Sequence, residues 1–340
     1  MIGNHPLVKA DERNRGNGLL LKGVWTMNFR CCLPVWLLLV AMILPGPLFA
    51  QDEVLYALCP KALNNPFWDD VKAGMEKAAT ELGVRAEFIA PPVADANLQV
   101  EKIEALLERN IQGIGISPNV PDSIIEVIAK ARAKGIPVIC FDSDSPNSKR
   151  LCYVGTNNEQ AGYEAGKLMK KFLPQGGRIL VVSGGAGSLN HNERVTGFKR
   201  GIQGAKIEVA DIAFCNDDLN RATQLIEAYV VAHPDLSGIF CTASWAISAA
   251  NVRKEKGLKC VIIGFDTVEG EMQLVKEGLI EGLVGQDPVN MGYQATMVLD
   301  KLRKAGPKME EIADDIDTGS VVVTRENVEE LAKLKGYQLK

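Results

Sequence analysis

Carboxylates and amides stand just past apolar, strand-like runs at several points of this 340-residue chain. Asn64-Asn65-Pro66-Phe67-Trp68 follows the run 54–59, Asp142-Ser143-Asp144 closes the run 137–141, and Asp266 follows 261–265. Ionised carboxylates accept short, strong hydrogen bonds from hydroxyl groups. As a pair, Asp142 and Asp266 could also work as acid and base on a glycosidic bond, which needs carboxyls ~5–10 Å apart. Each position has a plainer reading: an Asp after a strand often caps the next helix, and Asn-Pro marks a turn. The catalytic motifs fail in detail. Gly184-Gly-Ala-Gly-Ser188 lacks the third glycine of a dinucleotide loop, Gly162-Tyr-Glu-Ala-Gly-Lys-Leu168 has the wrong spacing for a phosphate loop, and Gly115-Ile-Ser-Pro-Asn119 lacks the second glycine of a nucleophile elbow. His191 has Ser188 nearby but no evident third member of a triad. Catalysis therefore has little to stand on, and no cofactor is expected.

The elements that must position these residues alternate. Strand-like runs at 54–59, 85–90, 113–117, 137–142 and 151–155 are separated by helical periodicity at 67–82, 96–109 and 123–134. The rhythm then restarts with helices at 159–172, 193–201, 221–232 and 246–255 and strands at 178–183, 207–214, 238–241 and 260–265. Strand, helix, strand with helices of this length predicts α/β architecture with parallel sheets covered on both faces. Two successive units predict two doubly wound lobes. In such sheets ligands bind beyond the carboxyl ends of the strands, where the polar residues gather.

Composition narrows the partners. The formal net charge is −4, and because residues 1–50 hold five basic side chains against two acidic ones, the remainder carries 33 basic against 40 acidic. That acidic surface disfavours nucleic acid and anionic lipid. Residues 31–50 form an apolar run behind Arg30, broken by Pro45-Gly46-Pro47 and ending at Ala50. This is the pattern of a signal peptide cleaved before Gln51, with Met27 the more ordinary start and 1–26 an upstream extension. Six cysteines remain after cleavage, without a Cys-x-x-Cys pair, and only His191 and His233 accompany them, so no metal centre is expected. Cys140 with Cys152 is the one bridge worth testing.

Taken in order, Leu63-Asn-Asn-Pro-Phe-Trp68, Gly135-Ile-Pro-Val-Ile-Cys-Phe-Asp142, Glu193-Arg-Val-Thr-Gly-Phe198, Ala232-His-Pro-Asp235, Val261-Ile-Ile-Gly-Phe-Asp266 and Gly285-Gln-Asp-Pro288 resemble the ribose/galactose-type periplasmic sugar-binding proteins, from about residue 52 to 340. The resemblance implies two lobes, 52–155 with 287–317 and 156–286 with 318–340, joined by a three-segment hinge and closing on a monosaccharide or polyol. It implies a periplasmic monomer that serves an inner-membrane ABC permease, or alternatively a sensor kinase or chemoreceptor, and no reaction of its own. It further implies that Asn65, Phe67 and Trp68 grip the sugar by hydrogen bonding and stacking, that Asp142 and Asp266 accept from hydroxyls, and that Arg194 and Gln286 complete the site.

Departures from the ribose binders fall at Ser143, where they have arginine, at Leu219 in place of a third aromatic, and at Ala243 in place of asparagine. Ser143 and Trp245 are therefore added to the expected site, Trp245 as a replacement stacking surface, with Asp144 or Asn192 as an extra contact. Such changes imply a different sugar.

Overall fold

The computed structural model describes residues 53–340, apart from 312, so the proposed signal segment lies outside the described residues. Short runs bounded by turns, apolar in β1, β3 and β4, build the first sheet from β1 (Leu55–Cys59), β2 (Arg85–Phe88), β3 (Gly113–Ile116), β4 (Val138–Phe141) and β5 (Tyr153–Gly155). Helices α1 (Phe67–Leu82), α2 (Ala96–Leu107) and α3 (Ile125–Ala133) connect its first four strands. After Gly155 the chain leaves this sheet through α4 (Asn158–Phe172) and builds a second one: β6 (Gly177–Ser183), α5 (Leu189–Gly201), β7 (Ile207–Phe214), α6 (Leu219–Ala232), β8 (Gly238–Cys241), α7 (Ala246–Lys256), β9 (Val261–Phe265), α8 (Glu269–Glu277) and β10 (Gly282–Gln286). It then returns through α9 (Pro288–Ala305), which packs against α1, to β11 (Ile316–Asp317) at the edge of the first sheet. A last crossing leads to β12 (Ser320–Thr324) and α10 (Val328–Leu334) on the second.

Strand order is β11-β5-β4-β3-β1-β2 in one sheet and β12-β10-β9-β8-β6-β7 in the other. Every pairing is parallel except that of β12 with β10. The α/β architecture expected from the sequence is thus present, and each sheet is buried on both faces, as parallel sheets require. No helix among the described residues is long and apolar enough to cross a membrane.

Period-two alternation decides the cysteine question. Val138 and Cys140 point into one apolar cluster of the first sheet, whereas Ile139, Phe141, Cys152 and Val154 point into the cluster on the other face. Cys140 is opposite Tyr153 in the β4–β5 register, so Cys152 projects away from it. The bridge contemplated between them is not formed, and all six described cysteines are free and buried.

Two local differences from the sequence reading matter below. Helix α3 is preceded by a tight helical turn at Pro121–Ile124, because Pro121 fits only the first turn of a helix. Helix α5 begins at Leu189, four residues earlier than the periodicity suggested, so Asn190 and His191 ride on its first turn.

Candidate functional site

Three of the Asp residues that follow strands separate into caps and site groups. Asp287, after β10, accepts from Asn290 N and caps α9. Asp142 and Asp266 cap nothing; both take left-handed backbone conformations, φ 60° and 72°, which turn their carboxylates into a cavity beyond the strand ends. Such conformations cost a non-glycine residue roughly 1–3 kcal/mol and gather at functional sites.

The cavity is narrow, with about 30 Å³ open to the centre of a water-sized sphere. From the first sheet come Lys61, Asn64, Asn65, Phe67, Trp68 and Asp142; from the second come Asn190, His191, Arg194, Asp217, Ala243, Asp266 and Gln286. Asn65 Oδ1 accepts from the N–H of Phe67, fixing the turn that starts α1 and presents Phe67 and Trp68 edge to face, 5.0 Å between centroids. Arg194 is buried, and each of the three nitrogens of its planar fork donates once. It donates to Asn158 Oδ1 at 2.9 Å, the Thr242 carbonyl at 2.8 Å and Gln286 Oε1 at 2.8 Å, and it lies 4.1 Å over the Phe265 ring. Gln286 passes the order on, donating to Asp266 Oδ1 at 2.7 Å. Burial, with the Asp142 charge adding to it, raises the Asp266 carboxyl above the usual carboxylate range against the opposing effect of Arg194. Asp142 accepts from Ser117 Oγ at 2.6 Å and sits 3.7 Å from the buried ammonium of Lys61.

Polar contacts cross between the two sets of strand ends. Lys61 Nζ donates to Ser188 Oγ at 3.0 Å and Asn190 Oδ1 at 2.7 Å, and Ser244 Oγ lies 3.4 Å from Asn65 Oδ1. The arrangement can hold a small polyhydroxylated molecule with donors and acceptors on its edges and an aromatic wall against its C–H surface.

Of the nine residues expected from sequence, Asn65, Phe67, Trp68, Asp142, Arg194, Asp266 and Gln286 come together around the cavity. Two do not. Ser143 is buried next to Asp142, its Oγ without a partner among the described residues, and Trp245 precedes α7 in the apolar core, its ring tilted against His191 at 5.4 Å. Trp245 therefore supports the wall from behind and offers the cavity no stacking face. Leu219 is half exposed at the start of α6; the residue of that loop that reaches the cavity is Asp217. Asp144 is tied by two 2.7 Å hydrogen bonds from Arg150, and Asn192 donates to the Ala186 carbonyl. Lys61, Asn190, His191 and Asp217 were not foreseen. Lys61 had a usable signal, since it stands three residues before Asn64 in the same loop beyond β1.

Behind Asp266, Glu271 in the first turn of α8 is fully buried, and neither carboxyl oxygen has a hydrogen-bond partner among the described residues. Burial and then the Asp266 charge push its carboxyl well above the usual range. The folded chain therefore holds a proton that the unfolded chain releases. Stability is full below the ordinary Glu value and declines by about 1.4 kcal/mol per pH unit as pH rises towards the folded one. Glu271→Gln is expected to remove that slope and raise stability at neutral pH. Urea unfolding between about pH 5 and about pH 8 checks this; parallel pH profiles for the two proteins would count against it.

Comparison with known proteins places this geometry. The model of the periplasmic binding protein domain matches residues 56–307. The chain belongs to the periplasmic binding protein family. Among curated relatives, the ribose import binding protein RbsB of Haemophilus influenzae is 28% identical, covering 77% of this chain and 88% of its own. An ABC transporter solute-binding protein from Burkholderia graminis, solved in complex with D-arabinose, is 36% identical with a TM-score of 0.76, covering 81% of this chain and 96% of that one. The XylFII–LytSN complex is 28% identical with a TM-score of 0.74 over 81% of this chain and 98% of that one. In this periplasmic binding protein the two sheets follow the fold of those neighbours.

Proposed function

We propose that this protein captures a monosaccharide or related polyol between two lobes, 52–155 with 287–317 and 156–286 with 318–340, and delivers it to an ABC-type importer. The observation that carries the reading is the convergence of Asp142, Arg194, Asp266 and Gln286 from two sheets upon one cavity walled by Phe67 and Trp68. Sugar held by both sets of strand ends favours the closed arrangement, because only there are all its hydroxyls paired. A membrane permease then recognises the closed form. The signal-like segment ending at Ala50 directs export to the periplasm, and the protein acts as a monomer without a reaction of its own. A second reading, presentation of the sugar to a sensor, is supported by the likeness to the XylFII–LytSN complex.

Melting of residues 51–340 against pentoses, hexoses, deoxy sugars and polyols tests the proposal. A ligand that binds only the native state at a thousandfold excess over its Kd stabilises by about 4 kcal/mol, several degrees in Tm. Asp266→Ala and Trp68→Ala are each expected to weaken binding of the best sugar by roughly tenfold or more while the fold survives, since one removes a buried acceptor and the other an aromatic face. Unchanged affinity in both by calorimetry would put the binding site elsewhere, and turnover of the sugar would overturn the receptor reading.

A further inference from the structure

One wall of the cavity is built differently from the rest. Asn216 and Asp217, between β7 and α6, both have left-handed backbones, φ 53° and 58°. Two adjacent non-glycine residues in that region store strain the fold must hold in place. Asp217 Oδ1 lies 3.3 Å from His191 Nε2, while no hydrogen bond from a described residue reaches its Oδ2. The other imidazole nitrogen, Nδ1, is 2.9 Å from Thr242 Oγ1, and Trp245 braces the ring from behind. Gly184 makes room for the pair: a Cβ there would come within 2.7 Å of His191 Nε2 and 2.8 Å of Asp217 Oδ1.

The protonation states agree with this geometry. Burial, and then the charge of Lys61, lower the His191 pKa, so the ring is neutral near pH 7. The carboxylate 3.3 Å from Nε2 favours the tautomer with the single N–H on that nitrogen, which leaves Nδ1 to accept from the Thr242 hydroxyl. Burial alone would raise Asp217; the His191 hydrogen bond and the nearby positive charges hold it below the usual carboxylate range. The result is a fixed carboxylate with one oxygen left for a ligand.

We infer that Asp217 is a specificity-determining residue whose Oδ2 accepts a hydrogen bond from one hydroxyl of the bound sugar, with His191 as its positioning residue. The inference rests on the sugar-binding reading above and sharpens it: the ligand must carry a free hydroxyl where it meets the β7–α6 loop, and the analogue lacking it is rejected because a carboxylate oxygen that the bound sugar covers is left unpaired.

Calorimetry tests this with D-arabinose, D-ribose, D-xylose and D-allose, followed by the monodeoxy derivatives of whichever binds most tightly. One derivative is expected to bind wild type roughly tenfold or more weakly than its parent. Asp217→Ala should bind that parent and derivative within about twofold of each other, which is the coupling a double cycle isolates. Asp217→Asn, close in shape and safer for folding, should show an intermediate penalty. His191→Gln, whose amide N–H can replace Nε2–H, should keep the discrimination, and His191→Leu should lose it while still binding sugar. An unchanged deoxy penalty in Asp217→Ala at every position, or retained discrimination in His191→Leu, overturns the assignment. If none of the sugars binds wild type, the sugar-binding reading fails first and this inference falls with it.

Discussion

Arg194→Ala is expected to weaken sugar binding by about a hundredfold or more and to lower stability by about 2–6 kcal/mol, since two buried acceptors lose their donor. The guanidinium joins three parts of the site at once: Asn158 at the start of α4, the carbonyl of Thr242 after β8, and Gln286 at the end of β10. Alanine leaves the Asn158 and Thr242 oxygens without that donor. Each buried acceptor left unpaired costs about 1–3 kcal/mol. It also removes the positive charge that opposes the rise of the Asp266 pKa, so Asp266 becomes a poorer acceptor. Arg194→Lys separates charge from shape. A single ammonium cannot reproduce a planar fork that meets three partners and stacks on Phe265, so lysine should recover little of the affinity. Calorimetry with the best sugar and urea unfolding on the same samples measure both effects, and full recovery by lysine would show that charge alone matters.

Much of this site was legible because strand ends in a parallel sheet can be read from sequence. Asp142 and Asp266 each close an apolar run, and Asn65, Phe67 and Trp68 follow another, so the polar edge of both sheets could be drawn before any coordinates. What could not be read was direction. Whether an Asp after a strand caps a helix or enters a cavity depends on φ: Asp287 caps, whereas Asp142 and Asp266 sit in left-handed conformations that no pattern of residue types announces. Trp245 and Asp217 illustrate the same gap. Matching to the ribose binders put Leu219 and Trp245 at the wall, but the turn at Asn216-Asp217 carries Asp217 inward, and Trp245, just ahead of α7, packs behind His191. The start of α5 was misjudged because Leu189-Asn190-His191 carries little helical periodicity, and that misjudgement hid both Asn190 and His191. The disulfide expectation failed for a related reason: sequence spacing says nothing of which face of a sheet each cysteine occupies.

Gly162→Ala should be nearly as damaging as the loss of Arg194 itself, although residue 162 makes no contact with the cavity. Helices α4 and α5 cross at glycines on both sides. A Cβ at 162 would lie 2.1 Å from the Arg194 carbonyl oxygen, and one at Gly197 would lie 1.9 Å from that of Glu159. Those obstacles are backbone, so no rotamer change relieves them and the helices must move apart. Overpacking ordinarily costs about 1–3 kcal/mol, and a clash between two main chains belongs at or above the top of that range. The displaced segment carries Arg194, whose bond to Gln286 at 2.8 Å leaves no slack. Affinity should therefore fall roughly tenfold or more together with stability, as hydrogen bonds weaken steeply with misalignment. Gly83→Ala is the control. Gly83 ends α1 with φ 65° and has open space around its Cβ position, so alanine there pays only the left-handed backbone cost, about 1–2 kcal/mol, and should leave affinity unchanged. If Gly162→Ala lost stability but bound sugar like wild type, Arg194 would be held by its own hydrogen bonds rather than by the helix crossing beneath it.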